Sequence, residues 1–306
     1  MESFINSRMG LTLVSALARV TPPWLGTILA RLAARVITAR RNSRLVRAVR
    51  ANQWVLAAGS RSPQALDQDV RAVFQHSARS IYELYHYVQN LSAAGRLFTI
   101  EPSFQEILDR PRIHQRGLIV AGLHMSGFDL ALQWVCYHGL DPLALTIPNP
   151  QGGRGLEFEF RQKTGINLVP GSMEGLRAAI RFLEAGGLVV TGIDRPLADC
   201  PRQPHFFGRP ASLPTHHIFL ALKTGTPVRL VISRRGADGK YHLLASAPIE
   251  MDPYPSREEA LLRNAEKVLA VAEDFIRQAP QQWLISLPVW PQAIHQTAPI
   301  RDPKGL

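Results

Sequence analysis

The stretch Gly117-Leu-Ile-Val-Ala-Gly122-Leu-His124-Met-Ser-Gly-Phe-Asp129-Leu-Ala-Leu-Gln-Trp-Val-Cys-Tyr137 decides the fold class. Residues 117–122 are an apolar run closed at both ends by glycine, without the polar alternation of a half-exposed strand. Such a run is expected of a parallel strand buried on both faces. A polar turn follows, and from Leu130 to about Tyr137 the apolar residues fall at helical spacing. Outward from this unit the alternation recurs. Leu143–Ile147, Asn167–Val169, Leu188–Ile193, Val228–Ser233 and Tyr241–Ala245 read as extended segments. Gly155–Thr164, Met173–Glu184, Pro214–Thr224 and Arg257–Gln278 read as helices. Strands separated by helices predict an α/β fold with a mixed, largely parallel sheet flanked by helices. In open sheets of this kind sites lie beyond the carboxyl ends of strands, and His124 and Asp194 both fall at such ends.

The 306 residues are 46% hydrophobic and 19% charged, enough apolar material for a sizeable core, so disorder of the whole chain is excluded. Two cysteines, Cys136 and Cys200, exclude a disulfide scaffold and lack the C-x-x-C spacing of a structural zinc site, and no metal is expected. The net charge of +11 is unevenly placed: residues 1–66 hold ten arginines, no lysine and a single acid, Glu2. The rest of the chain is nearly neutral. Two regions follow: an apolar, basic helical region over 1–105 and an α/β body over 106–306.

Within the first region no uncharged apolar run is long enough to span a bilayer, since Arg8, Arg19, Arg31 and Pro22-Pro23 interrupt it. After those prolines, Trp24/Leu25, Ile28/Leu29, Leu32/Ala33 and Val36/Ile37 form a broad helical stripe, with Arg31 to Arg50 in its flank and tail. An apolar stripe beside arginines predicts a membrane-associating helix on an anionic membrane surface. Packing on the protein's own core is the plain alternative. Nucleic acid is not expected as a partner, because the aromatic residues that stack on bases are not interleaved with the arginines. Ala16-Leu17-Ala18 has the form of a signal-peptide cleavage site, but the residues before it carry no net positive charge. Residues 63–95 keep helical spacing through Leu66, Val70, Val73, Ile81, Leu84 and Val88.

The segment His124-Met-Ser-Gly-Phe-Asp129 places an acid in the first turn of the helix that follows a strand-terminal histidine. A carboxylate folded back onto an imidazole fixes its tautomer and leaves the second ring nitrogen to take a proton from a hydroxyl. Alone the spacing is equally that of a capping aspartate beside an unrelated histidine. Further segments follow in order: Gly155-Leu-Glu-Phe158-Glu-Phe-Arg161, then Gly187-Leu-Val-Val-Thr-Gly-Ile-Asp194-Arg195, then Phe206-Phe207-Gly208, Ser212-Leu-Pro214 and Lys223-Thr-Gly225-Thr-Pro227-Val228. Together with the histidine block these resemble the lysophospholipid acyltransferase superfamily, and more narrowly its lipid A biosynthesis acyltransferase branch.

The resemblance implies transfer of a fatty acyl group from acyl-CoA or acyl carrier protein, used as co-substrate with no cofactor, to a hydroxyl of a lipid or glycolipid acceptor. His124 is then the general base, oriented by Asp129. Arg161 either holds a phosphate or pairs with Glu157 on its own helix. Asp194 either contacts acceptor hydroxyls or pairs with Arg195, the other member of that block. Phe206 and Phe207, followed by Gly208, either wall the acyl-chain groove or pack in the core. The implied location is the cytoplasmic face of the inner membrane. Two other classes stay open: a non-catalytic peripheral lipid-binding protein, and a thioesterase with water as acceptor. His216 and His217, adjacent on a helix, face apart and are poor joint metal ligands, so one is expected at the surface and one in the core.

Overall fold

The computed structural model describes residues 15–110, 116–146, 161–162, 165–198 and 200–297. Residues 15–20 are helical, and three longer helices follow: α1 (Pro23–Ala39), α2 (Arg44–Leu56) and α3 (Pro63–Tyr87). Strand β1 (Phe98–Ile100) and helix α4 (Pro102–Leu108) lead to β2 (Leu118–Gly122) and α5 (Phe128–Tyr137). Then come β3 (Leu143–Thr146), β4 (Asn167–Pro170), α6 (Met173–Glu184) and β5 (Leu188–Gly192). A small hairpin, β6 (His205–Phe206) and β7 (Arg209–Pro210), precedes α7 (His216–Thr224), β8 (Val228–Arg235), β9 (Tyr241–Ala245) and α8 (Arg257–Gln278).

Seven strands form one sheet in the order β1-β9-β8-β2-β5-β3-β4. Only β8 and β9 run antiparallel; the other neighbours are parallel. The expected mixed, largely parallel sheet is therefore observed, with β1 as an edge strand that the sequence pattern did not reveal. Side chains alternate across the sheet. On one face Ile119, Ala121, Val189, Val228 and Leu230 meet α6, α7 and α8. On the other, Leu118, Val120, Leu188 and Leu243 pack on Phe104 and Ile107 of α4 and on Leu130, Trp134 and Val135 of α5.

The N-terminal region departs from the sequence reading in two respects. Residues 44–56 are a packed helix rather than a basic tail. Ser43 caps it, Val46, Val49 and Val55 are buried, and Arg50 is bound by Asp67 of α3. Buried Asn52 donates to the carbonyls of Ile285 and Leu287 and accepts from Val289 N–H, which ties α2 to the C-terminal segment. Helix α3 starts at the expected proline, behind the Ser62 cap, but ends at Tyr87, and Asn90 caps a separate turn. No described helix is long and apolar enough to cross a membrane. The helix expected over 155–164 lies mostly outside the described residues, of which Arg161 and Gln162 are helical.

Helix α1 has an inverted face. Its buried positions are the small residues Gly26, Ala30 and Ala34. They let α1 sit close on α3: a Cβ at Gly26 would lie 2.3 Å from the Tyr82 ring. Most large side chains of the stripe point outward, with Trp24 66% exposed and Ile28, Leu29, Leu32 and Val36 likewise open.

Candidate active site

β2 and β5 are neighbours in register, Leu118 with Leu188 through Gly122 with Gly192. Both chains continue past their last ladder residue, and two positions later His124 and Asp194 stand level. His124 N–H donates to Asp194 Oδ2 at 2.8 Å, and its Nδ1 lies 2.6 Å from Oδ1. A carboxylate only accepts, so the contact assigns a proton to Nδ1, and in the neutral ring the lone pair is then on Nε2. Trp283 Nε1–H donates a third bond to Oδ2 at 2.8 Å. Asp194 is fully buried. Burial pushes its carboxyl up, but the charge and hydrogen bonds of His124 and the indole bond outweigh that and hold it below its ordinary value.

The turn carrying His124 is braced from three sides. Leu284 N–H donates to His124 O at 2.8 Å and Ser126 N–H to Gln282 O at 3.0 Å, so the 280–284 segment pairs with it like a short strand. From α3, Ser80 Oγ accepts Gly127 N–H at 3.0 Å, and His76 bonds Ser126 Oγ at 3.1 Å. Gly127 caps α5 at φ +74, where a Cβ would press to 2.7 Å from the Tyr241 ring. From β5, Gly192 leaves just enough room for the imidazole: a Cβ there would lie 2.9 Å from His124 Cε1.

The expected pairing of His124 with Asp129 is corrected. Asp129 does begin α5, but Arg161 holds both its oxygens, Nε on Oδ1 and Nη2 on Oδ2, each at 2.9 Å. The partner of the imidazole is Asp194, which in turn is too buried to meet an acceptor and is not spent on Arg195. Arg161 is a partner of Asp129; Glu157 lies outside the described residues. Phe206 is sealed in the core against Trp290 and Trp283. Phe207, at φ +52, stacks edge-on to Phe206 under the Arg277 guanidinium, with Gly208 at φ +71 completing the turn. None of the three lines the cavity described next, so the groove-wall expectation is corrected to core packing.

That cavity measures about 400 Å³. On one side it runs between the sheet and helices α4 and α5, lined by Ile107, Leu132, Val135, Leu188 and Val190. At the carboxyl rim it is lined by Thr146, Arg161, Gly171, Thr191, Arg195 and His216. His124 stands between the two, 22% exposed. His216 is therefore a cavity residue rather than a surface one, while His217 is buried in the core as expected of one of the pair. Among the described residues no group of three or more His, Cys, Asp or Glu is placed to hold a metal ion.

Two residues escaped the sequence reading: Asp194 as the partner of His124, and Trp283. The first had a legible signal. Gly117-Leu-Ile-Val-Ala-Gly122-Leu-His124 and Gly187-Leu-Val-Val-Thr-Gly192-Ile-Asp194 share one pattern, and aligning the two strands by it sets the histidine opposite the aspartate. Trp283 had none, because its approach depends on how the C-terminal segment returns over α2.

An imidazole aimed by a buried carboxylate at the mouth of a mostly apolar cavity suits proton removal from a hydroxyl beside an aliphatic chain. Compared with curated proteins, the sequence has no match. A family model described as bacterial lipid A biosynthesis acyltransferase matches residues 4–291, a span that takes in all three N-terminal helices, the whole sheet and every residue of the site from His124 to Trp283, and the chain belongs to that acyltransferase family.

Proposed function

We propose that His124 is the general base of an acyl transfer from a fatty thioester, carried by CoA or an acyl carrier protein, to a hydroxyl of a lipid A-like acceptor. Nε2 takes the hydroxyl proton as the oxygen attacks the thioester carbonyl carbon. The C–O bond forms, the C–S bond breaks, and the imidazolium returns its proton to the departing sulfur. Asp194 keeps Nδ1 protonated throughout and stabilises the imidazolium. The acyl chain lies in the apolar side of the cavity, and the acceptor head meets the rim that carries Arg195 and the Arg161–Asp129 pair. The observation that supports this most is the His124–Asp194 contact of 2.6 Å at the mouth of that cavity. The test is ester formation, followed by mass spectrometry, from palmitoyl-CoA or palmitoyl carrier protein and a tetra-acylated lipid A precursor. His124→Ala should lower turnover by about 10²–10⁴-fold. More than half the turnover surviving removes the base. Thiol release with no acylated lipid moves the assignment to a thioesterase.

We also propose that α1 rests on the membrane, at the inner leaflet facing the cytoplasm. A helix that buries Gly26, Ala30 and Ala34 and exposes Trp24, Ile28 and Leu32 has its large apolar side chains in water. Withdrawing one such side chain fully is worth roughly 1.5–3 kcal/mol. Arg31, Arg35, Arg40 and Arg41 flank that face, and each arginine near an anionic surface adds about 1 kcal/mol.

A further inference from the structure

Thr191 and His216 form a polar pair at the cavity rim that the proton transfer does not use. Along β5 the side chains alternate: Leu188 and Val190 face α4 and α5, and Thr191 faces α7. His216, the first residue of α7, bonds Thr191 Oγ1 through Nε2 at 2.6 Å. No hydrogen bond to its other nitrogen, Nδ1, is seen among the described residues, and the residue is half-buried. The ring lines the same cavity as His124 but across the sheet rim from the apolar side.

We infer that His216, held by Thr191, reads the acceptor: its Nδ1 hydrogen-bonds a second hydroxyl of the polyhydroxylated head whose neighbouring hydroxyl is acylated at His124. The inference rests on the acyltransferase reading above. The acyl chain fills the apolar side, so what approaches from the side of His216 is the polar half of a substrate. Charge decides which chemistry the rim takes. Arg161 is already matched by Asp129 on both oxygens. Burial holds His216 down at about 4, so at neutral pH it offers one donor or one acceptor and no charge. A sugar hydroxyl needs nothing more, whereas a phosphate calls for a cation at that point. The bond to Thr191 fixes the ring, so little rotamer freedom is lost when the hydroxyl arrives.

Steady-state kinetics with palmitoyl-CoA and a tetra-acylated lipid A precursor test this on the full chain. Losing one neutral hydrogen bond costs about a factor of 3–10. His216→Phe should raise the KM for the precursor by about that factor, with kcat and the KM for palmitoyl-CoA within about twofold and the pH profile unmoved. Thr191→Val, which frees the ring, should raise the same KM by less. His216→Gln, which keeps a donor and an acceptor, should recover most of the loss. Calorimetric titration of precursor into each folded variant reads the same change without turnover. An unchanged precursor KM in a His216→Phe protein that melts like the parent overturns the inference, as does a rise confined to palmitoyl-CoA, which assigns the ring to the donor. A parent enzyme that makes no acylated lipid overturns the acyltransferase reading itself.

Discussion

Asp194→Asn and Asp129→Asn, made side by side, separate the two carboxylates that the sequence sets near His124. In the parent, Asp194 accepts from His124 N–H, from Nδ1–H and from Trp283 N–H. An asparagine whose oxygen keeps the backbone and indole bonds at the Oδ2 position must turn its amide N–H₂ toward Nδ1. Nδ1 then becomes an acceptor, the proton moves to Nε2, and the base is lost. The size is unchanged and two of three bonds persist, so the fold should hold. A wrong tautomer in a comparable acid–histidine pair costs about 10⁴-fold, or about 5 kcal/mol of transition-state stabilisation. Asp194→Asn should therefore lower kcat by 10³–10⁴-fold with little change in KM. In Asp129→Asn only the pair with Arg161 is weakened, so the kcat loss should stay below about tenfold and the precursor KM should rise. The assay is thiol release from palmitoyl-CoA at saturating precursor, with melting curves for both variants. The reverse order, Asp194→Asn active and Asp129→Asn dead, refutes the assignment and returns the imidazole to the helix carboxylate. Because Asp194 titrates below its ordinary value, its stabilisation is present above about pH 4 and lost only as pH falls through that lowered range.

Gly192→Ala puts a methyl group 2.9 Å from His124 Cε1, against a ring clamped by Asp194, and should cost more than tenfold in kcat with a small change in melting temperature; parent-like kcat refutes the tight fit. Trp24→Ser with Leu32→Ser should weaken sedimentation with vesicles of phosphatidylglycerol while leaving the melting curve within about 2 °C, because both side chains are exposed; equal binding shows that α1 is not the docking face. His217 is buried with neither ring nitrogen bonded, and burial with the neighbouring His216 takes it down to about 3. The unfolded chain binds that proton below about pH 6.5 and the folded chain does not, so stability is full above that pH and falls from there toward pH 3. At pH 5 the loss from this one site is on the order of 2 kcal/mol. His217→Leu should raise the melting temperature and flatten its fall between pH 6.5 and 4, as followed by circular dichroism; an unchanged pH slope refutes it.

The α/β body was legible because its strands are buried on both faces. Leu118–Gly122 is a continuous apolar run and Leu188–Gly192 is interrupted only by Thr191, as expected of central parallel strands. Met173–Glu184 and Arg257–Gln278 match the ranges their periodicity predicts, and in the structure Ser172 and Ser256 cap them. What failed to show depends on long-range packing. The arginines of 44–50 looked like a tail because their charge hid Val46, Ala48 and Val49, whose burial only the docking of α3 and the C-terminal segment makes possible. Phe206 and Phe207 sit beside a motif, and an aromatic pair gives no hint from sequence whether it faces a ligand or, as here, two tryptophans. His216 was assigned by helical face alone, and that argument cannot tell a cavity wall from solvent.

The misplaced partner of His124 carries a physical lesson about short motifs. Five residues of separation place Asp129 near the histidine, but α5 begins between them, and Arg161 takes both oxygens of its carboxylate. Seventy residues of separation put Asp194 closer, because a parallel ladder carries register across any length of intervening chain. The two acids then divide the work by burial. Asp194, sealed beneath the ring and bonded three times, fixes the imidazole. Asp129 is matched by Arg161, which lines the cavity rim. If a substrate anion drew Arg161 away, Asp129 would lose its partner in a nearly buried position, and that cost would be subtracted from the anion's binding energy.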